Sequence, residues 1–192
     1  ALVNSDGDIE KAIDQLRKSS SLKAAKKASR TAAEGIVAVK VEAGYGVIIE
    51  VNSETDFVAR DQNFTQYVAQ VVDVAFNERN LDIQSLLSNQ EIENNRVALI
   101  QKVGENVSPR RGKSIKAPIV GSYVHSNNRI AAIVGLEGGS EELAREVAMH
   151  VTAVNPIVVS SAQMPTEVIE AEKEIYLVQA RESGKSDDII DK

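Results

Sequence analysis

The stretch EGIVAVKVEAGYGVIIEVNS, residues 34–53, carries two runs rich in valine and isoleucine on either side of AGYG. Branched side chains suit a pleated surface, and glycine supplies the backbone conformations that a tight turn needs. The pair of runs predicts an antiparallel hairpin. Immediately downstream, FVARDQNFTQYVAQVVDVAFNER (57–79) changes to the helical period: Phe64, Val68, Val71 and Ala75 share one stripe, with Tyr67 and Val72 beside it. The same order returns later. IVGSYVHSNNRIAAIVGLEGG (119–139) reads as a hairpin turning at Asn127 and Asn128, which tolerate left-handed backbone. Ser140, Glu141 and Glu142 then open a helix with acids in its first turn. Hairpin followed by helix therefore occurs at 35–79 and at 119–153. This predicts an α+β protein with two related subdomains, each an antiparallel hairpin sheet covered by helices on one face.

Helices surround these units. DIEKAIDQLRKS (8–19) places Ile9, Ala12, Ile13 and Leu16 on one face, with Asp8 as N-cap. RKSSSLKAAKKASR (17–30) holds six basic residues and no acidic one. It reads either as a solvated helix or linker, or as a basic face for an acidic partner. A polar helix is expected near 82–105 with Leu86, Leu87, Val97 and Ile100 inward, and a last one at 166–183 between Pro165 and Gly184. The expected domains are a helical one over 1–30, a first core subdomain over 31–112, and a second over 113–192 that ends in the start of a further helical region. Ala1 stands where Met would, ALVN reads as the last turn of a helix, and SDDIIDK reads as a new helix capped by Ser186. Both ends are therefore expected to be cut.

Composition narrows the chemistry. With 43% hydrophobic and 26% charged residues, the chain reads as an ordinary globular protein with enough length for a sizeable core. No apolar run reaches the roughly 20 residues that span a bilayer, and no cleavable leader is visible. Cysteine is absent, which removes disulfides, thiolate metal sites and a cysteine nucleophile. Two histidines, His125 and His150, cannot make a multi-histidine metal cluster. A formal net charge of −6 argues against general nucleic-acid binding. There is no phosphate-binding glycine loop after a strand and no GxSxG elbow. Glu54 and Asp56 read as helix-start acids rather than a catalytic pair.

Two residues are left open by pattern. If one helix starts at Phe57, seven-residue spacing puts Phe57 on the inward stripe of Phe64. If the helix starts nearer Asp61, Phe57 has no place in the core. His150 lies beside a stripe expected to turn Leu143, Val147 and Val151 inward. It is either a half-buried, hydrogen-bonded residue or a polar tip available to a partner.

NSDGDIEKAIDQLRKSSSLKAAKKASRTAAEG, GYGVIIEVNSETDFVARDQNF, GSYVHSNNRIAAIVGLEGG and REVAMHVTAVNP, in this order, closely resemble the bacterial-type elongation factor Ts family. The resemblance implies a small ubiquitin-associated-like helical domain before the two α+β subdomains. It also implies a function: guanine-nucleotide exchange on the GTPase elongation factor Tu, by promoting GDP release, and no enzymatic reaction of its own. The alternative is a non-catalytic adaptor that binds through its N-terminal helices. By motif, Thr55, Asp56, Phe57 and Val58 match the segment that dislodges magnesium from the partner's nucleotide site. Phe57 is expected to project outward as the wedge and Asp56 to make a supporting polar contact, while Phe64 belongs to the core. Arg129, Ile130, Ala131 and His150 match further partner contacts. Lys11, Lys18 and Lys23 of the basic N-terminal region would face the same GTPase domain. Ala131 stands where members often carry glycine, and HSNN replaces a glycine-rich turn. The family's opening helix, C-terminal module and coiled-coil insertion are not seen in these residues. The resemblance implies no cofactor, metal, nucleic acid, membrane or small-molecule substrate of its own, and a bacterial cytoplasm or an organelle of bacterial ancestry.

Overall fold

In the computed structural model the described residues are 3–183, apart from the side chain of Arg17. The chain divides after Ala153 into two compact units. The first holds α1 (Ile9–Lys27), β1 (Glu34–Glu42), β2 (Tyr45–Ser53), α2 (Asp56–Ala59) and α3 (Gln62–Glu78). It continues with α4 (Ile83–Ser88), α5 (Gln90–Val103), β3 (Ser108–Lys116), β4 (Ile119–Val124), β5 (Ala131–Leu136) and nearly all of α6 (Glu141–Val154). The described part of the second unit holds a 3-10 turn at Ser161–Gln163 and α7 (Thr166–Glu182), which follows Pro165 and buries none of its residues. The mixture of helices and antiparallel strands is the α+β class expected. ALVN overlaps the described residues only from Val3, where a 3-10 turn runs to Ser5. Gly184 and SDDIIDK lie outside the described residues.

Strands β1, β2 and β3 form one antiparallel sheet with β2 in the centre, and β4 pairs with β5 in a second. The β1–β2 hairpin turns through Ala43 and Gly44, both with positive φ, as a two-residue hairpin turn demands. A side chain at position 44 would also meet the Ala117 carbonyl oxygen at 2.6 Å. Side chains of a strand alternate between faces. Accordingly Val47, Ile49 and Val51 of β2 enter the core with Phe64, Val68, Val71, Val72 and Ala75 of α3. Leu86 of α4, and Ile92, Leu99 and Ile100 of α5, close the same cluster. The opposite face of β2 looks toward the second sheet: at Gly46, an added Cβ would lie 2.9 Å from Val120 Cγ1. Helix α6 crosses β4 at Gly121, where a Cβ would fall 2.4 Å from the Ala144 carbonyl carbon. Ala144 and Ala148 are fully buried.

Several elements depart from the periodicity reading. Helix α1 does not stop at 19 but continues to Lys27, because 17–27 contains no breaker and Ala24 packs into the core. The helix expected over 82–105 is two: Asn89 ends α4, and its side-chain oxygen accepts from Glu91 N and Ile92 N to start α5. SPRRGKSIK, a polar and basic run outside the predicted hairpins and helices, is the edge strand β3. Its lysines and arginines hide a strand signal while protecting an open edge. Leu143 is exposed, and the inward face of α6 is built on Ala144 and Ala148 instead. Alanine is what the close approach to Gly121 leaves room for.

Candidate functional site

Strand β2 ends in the core at Ser53, and the chain must turn sharply there. Thr55 caps α2 in extended backbone (φ −122°, ψ 158°), with its hydroxyl accepting from Val58 N at 3.5 Å. One turn later Asp61 caps α3, accepting from Asn63 N at 2.8 Å and Phe64 N at 3.4 Å. The side-chain and backbone amides of Asn63 hold the Asp61 carboxyl below its ordinary range, with Lys102 adding a favourable charge. This second cap breaks the helix, so the phase of α2 is independent of α3. Val58 and Ala59 turn into the core, and Phe64 is wholly buried. Phe57 is 82% exposed.

The turn is held from outside by the segment between α5 and β3. The Glu105 carboxylate accepts from Glu54 N at 3.1 Å, Thr55 N at 2.9 Å and Thr55 Oγ1 at 2.6 Å. In return Glu54 accepts from Asn106 N at 2.7 Å and pairs with Arg30 at 3.2 Å. Asn106 in turn donates to the Arg30 carbonyl at 2.9 Å. Ser53 Oγ donates to the Thr55 carbonyl at 3.0 Å. Sequence reading missed Glu105, because it stands fifty positions from Thr55 and belongs to no local motif. Asp56 pairs with Arg60 at 2.9 Å across one turn. Glu54 and Asp56 thus have separate partners and do not converge on each other. Among the described residues no group of three or more His, Asp or Glu is arranged to hold a metal ion. No described helix is long and apolar enough to cross a membrane.

The remaining predicted positions are distributed as follows. Arg129 forms an ion pair with Glu34, and the neighbouring Asn128 carbonyl accepts from Val37 N at 2.7 Å. This fastens the β4–β5 turn to the edge of β1 that β2 leaves free. Asn128 adopts the left-handed backbone expected of it (φ 54°). Ile130 is half-exposed and Ala131 half-buried. Since Glu34 pairs in register with Ser53, the turn and α2 sit near the same end of β1. His150 is exposed on α6 and its side chain makes no hydrogen bond among the described residues, so the half-buried, hydrogen-bonded alternative does not hold. Lys11, Lys18 and Lys23 are exposed on α1, with Lys11 paired to Asp8 at 3.2 Å. No described hydrogen bond or ion pair joins His150 or Lys23 to α2.

Phe57 thus stands outside the core cluster, on a one-turn helix whose cap is held by Glu105. The family model described as Elongation factor TS matches residues 54–192. An Elongation factor Ts of Hahella chejuensis is 54% identical over 194 residues, covering all of this chain and 68% of the relative. The Elongation factor Ts of Saccharophagus degradans is 57% identical over 196 residues, covering all of this chain and 67% of the relative. That of Francisella tularensis subsp. novicida is 47% identical over 197 residues, again covering all of this chain and 68% of the relative. Identity this high along the whole sequence, together with a family match that begins at Glu54 beside the exposed phenylalanine, assigns the chain to the elongation factor Ts family.

Proposed function

We propose that the protein is a guanine-nucleotide exchange factor for elongation factor Tu, working in the cytoplasm of a bacterium or in an organelle of bacterial ancestry. It carries out no chemical reaction of its own. It needs no resident cofactor, since the magnesium and GDP it acts on are bound by its partner. The observation that carries this reading is Phe57, exposed on a one-turn helix whose cap is clamped by Glu105. In this reading Phe57 inserts between helices of the GTPase domain, Asp56 makes a supporting polar contact, and Thr55 and Val58 hold the turn from beneath. Displacing the partner's magnesium ligands weakens the bridge between metal and phosphates. Arg129, Ile130, Ala131 and His150 extend the contact, and Lys23 contributes charge at its margin.

Thermodynamic linkage fixes the sign. A factor that binds the nucleotide-free GTPase more tightly than the GDP-bound one must weaken GDP by the same factor. A thousandfold change corresponds to about 4 kcal/mol of coupling. One well-buried aromatic anchor supplies about 2 kcal/mol or more at an interface, so Phe57 would be a major share of it. The test is release of labelled GDP from elongation factor Tu. Phe57→Ala should slow stimulated release at least tenfold while leaving the unfolding midpoint unchanged. An adaptor that binds without exchange activity would leave the off-rate at its unstimulated value with the unaltered protein too, and that result ends the exchange reading.

A further inference from the structure

We propose that the crevice between the two sheets is a docking site for an acidic protein segment that lays an aliphatic side chain on its floor. The crevice opens where the β4–β5 turn meets the outer face of the three-stranded sheet, and its volume is about 340 Å³. Its aliphatic lining is made by Val37 and Ile48 of the three-stranded sheet, Ala131 of β5 and Ile130 just before it. Its rim carries Arg111, Lys113 and Arg129 around the single carboxylate of Glu50. An adjoining pocket of about 200 Å³ shares Val37, Glu50, Arg111 and Arg129 with it and extends the groove to Glu34.

The charge at this place is opposite to that of the molecule. Arg110, Arg111, Lys113 and Arg129 stand around Glu34 and Glu50, an excess of two positive charges in a chain whose formal net charge is −6. The bulge between β2 and β3 creates this concentration. It breaks the alternation of β3, so that consecutive Arg110 and Arg111 both reach Glu50, at 3.2 and 2.6 Å. The cations are not exhausted by these pairs. Arg111 is 76% exposed in its side chain and engages Glu50 through one nitrogen of its guanidinium, and Lys113 enters no ion pair among the described residues. The guanidiniums of Arg110 and Arg111 lie mostly in solvent while Glu50 is largely buried, so an incoming carboxylate can share the arginines without displacing Glu50. An aliphatic floor with a cationic rim matches an aliphatic side chain flanked by Asp or Glu. A nucleic-acid strand is disfavoured, because its bases require stacking platforms and the lining contains no aromatic ring.

This site shares Arg129, Ile130 and Ala131 with the surface proposed for exchange, but the crevice's lining and charge stand without that proposal. The experiment therefore contains no GTPase, and its result does not depend on whether exchange occurs. The whole chain, labelled with ¹⁵N, is titrated with the blocked peptide Glu-Asp-Leu-Glu-Glu and followed by amide shifts. Saturable shifts at Val37, Ile48, Lys113 and Ala131, weakening with added salt, are expected. The peptide with Gln and Asn in place of its acids should bind at least tenfold more weakly. Lys113→Glu should weaken the acidic peptide about tenfold, equivalent to about 1.4 kcal/mol. Lys113→Gln, which removes the charge without reversing it, should give a smaller loss of the same sign. Equal affinity for the neutral peptide, shifts confined to another surface, or tighter binding of a polyuridine oligonucleotide would each overturn the proposal.

Discussion

Phe57 and Phe64 are chemically identical and seven residues apart, yet one faces solvent and the other has no exposed surface. Asp61 separates their fates. By capping α3 it lets α2 point its side chains without regard to the stripe that follows. The two positions should respond differently to truncation. Phe64→Ala leaves a cavity beneath the sheet and should cost about 3–5 kcal/mol in urea unfolding. Phe57→Ala removes exposed surface and should shift stability by no more than about 0.5 kcal/mol. A comparable stability loss at both positions would return Phe57 to the core.

At the scale of elements, the site is a junction held by a segment from elsewhere in the chain. Strand β2 and helix α2 meet at Glu54 and Thr55, and their amides are satisfied by Glu105 from beyond α5. Glu105→Ala strands two amides and a hydroxyl, which should cost about 1–3 kcal/mol. It should also lower GDP release by elongation factor Tu while Phe57 itself is intact, because the wedge loses its support. Unchanged release in that variant would mean that the turn is rigid without the clamp. The second close junction is α6 on β4. Gly121→Val would drive side-chain atoms into the Ala144 backbone, and overpacking of this kind costs about 1–3 kcal/mol. Thermal unfolding of the variant checks it, and the β1–β3 sheet should be little affected.

At the scale of the molecule, acid should act at dispersed sites. Glu50 is a central example. Its partial burial raises its pKa, but hydrogen bonds from Arg111 and Asn52 and the charges of Arg111 and Arg110 more than offset this, so the net direction is down. A carboxyl lowered on folding contributes stability above its unfolded value, and loses it as pH falls through the folded one. Glu50→Gln should therefore flatten the decline in stability below about pH 4.3, the ordinary glutamate value, and lower stability near neutrality. Urea midpoints measured across that range test the sign, and a steeper acid decline in the variant would contradict it. Asp61, through the side-chain and backbone amides of Asn63, and Asp8, through the backbone and side chain of Lys11, shift in the same direction, so part of the acid sensitivity should survive the substitution.

Short-range chemistry is legible along this chain wherever one element is specified by its own residues. The valine and isoleucine runs of β1 and β2, the stripe from Phe64 to Ala75 and the left-handed Asn128 follow from period and turn chemistry, and they carry the α+β class with them. The projection of Phe57 was undecided by period, and resemblance to the family broke the tie. What the residues could not announce depends on partners distant in sequence. Strand β3 is polar and basic, and becomes a strand because β2 offers it an edge. Glu105 matters because folding carries it to Thr55. Leu143 yields the inward face of α6 to Ala144 because Gly121 admits nothing larger. The crevice exists because one sheet lies against another. Hydrogen bonding and packing at close range are satisfied between neighbours in space, and folding alone makes residues fifty positions apart into neighbours.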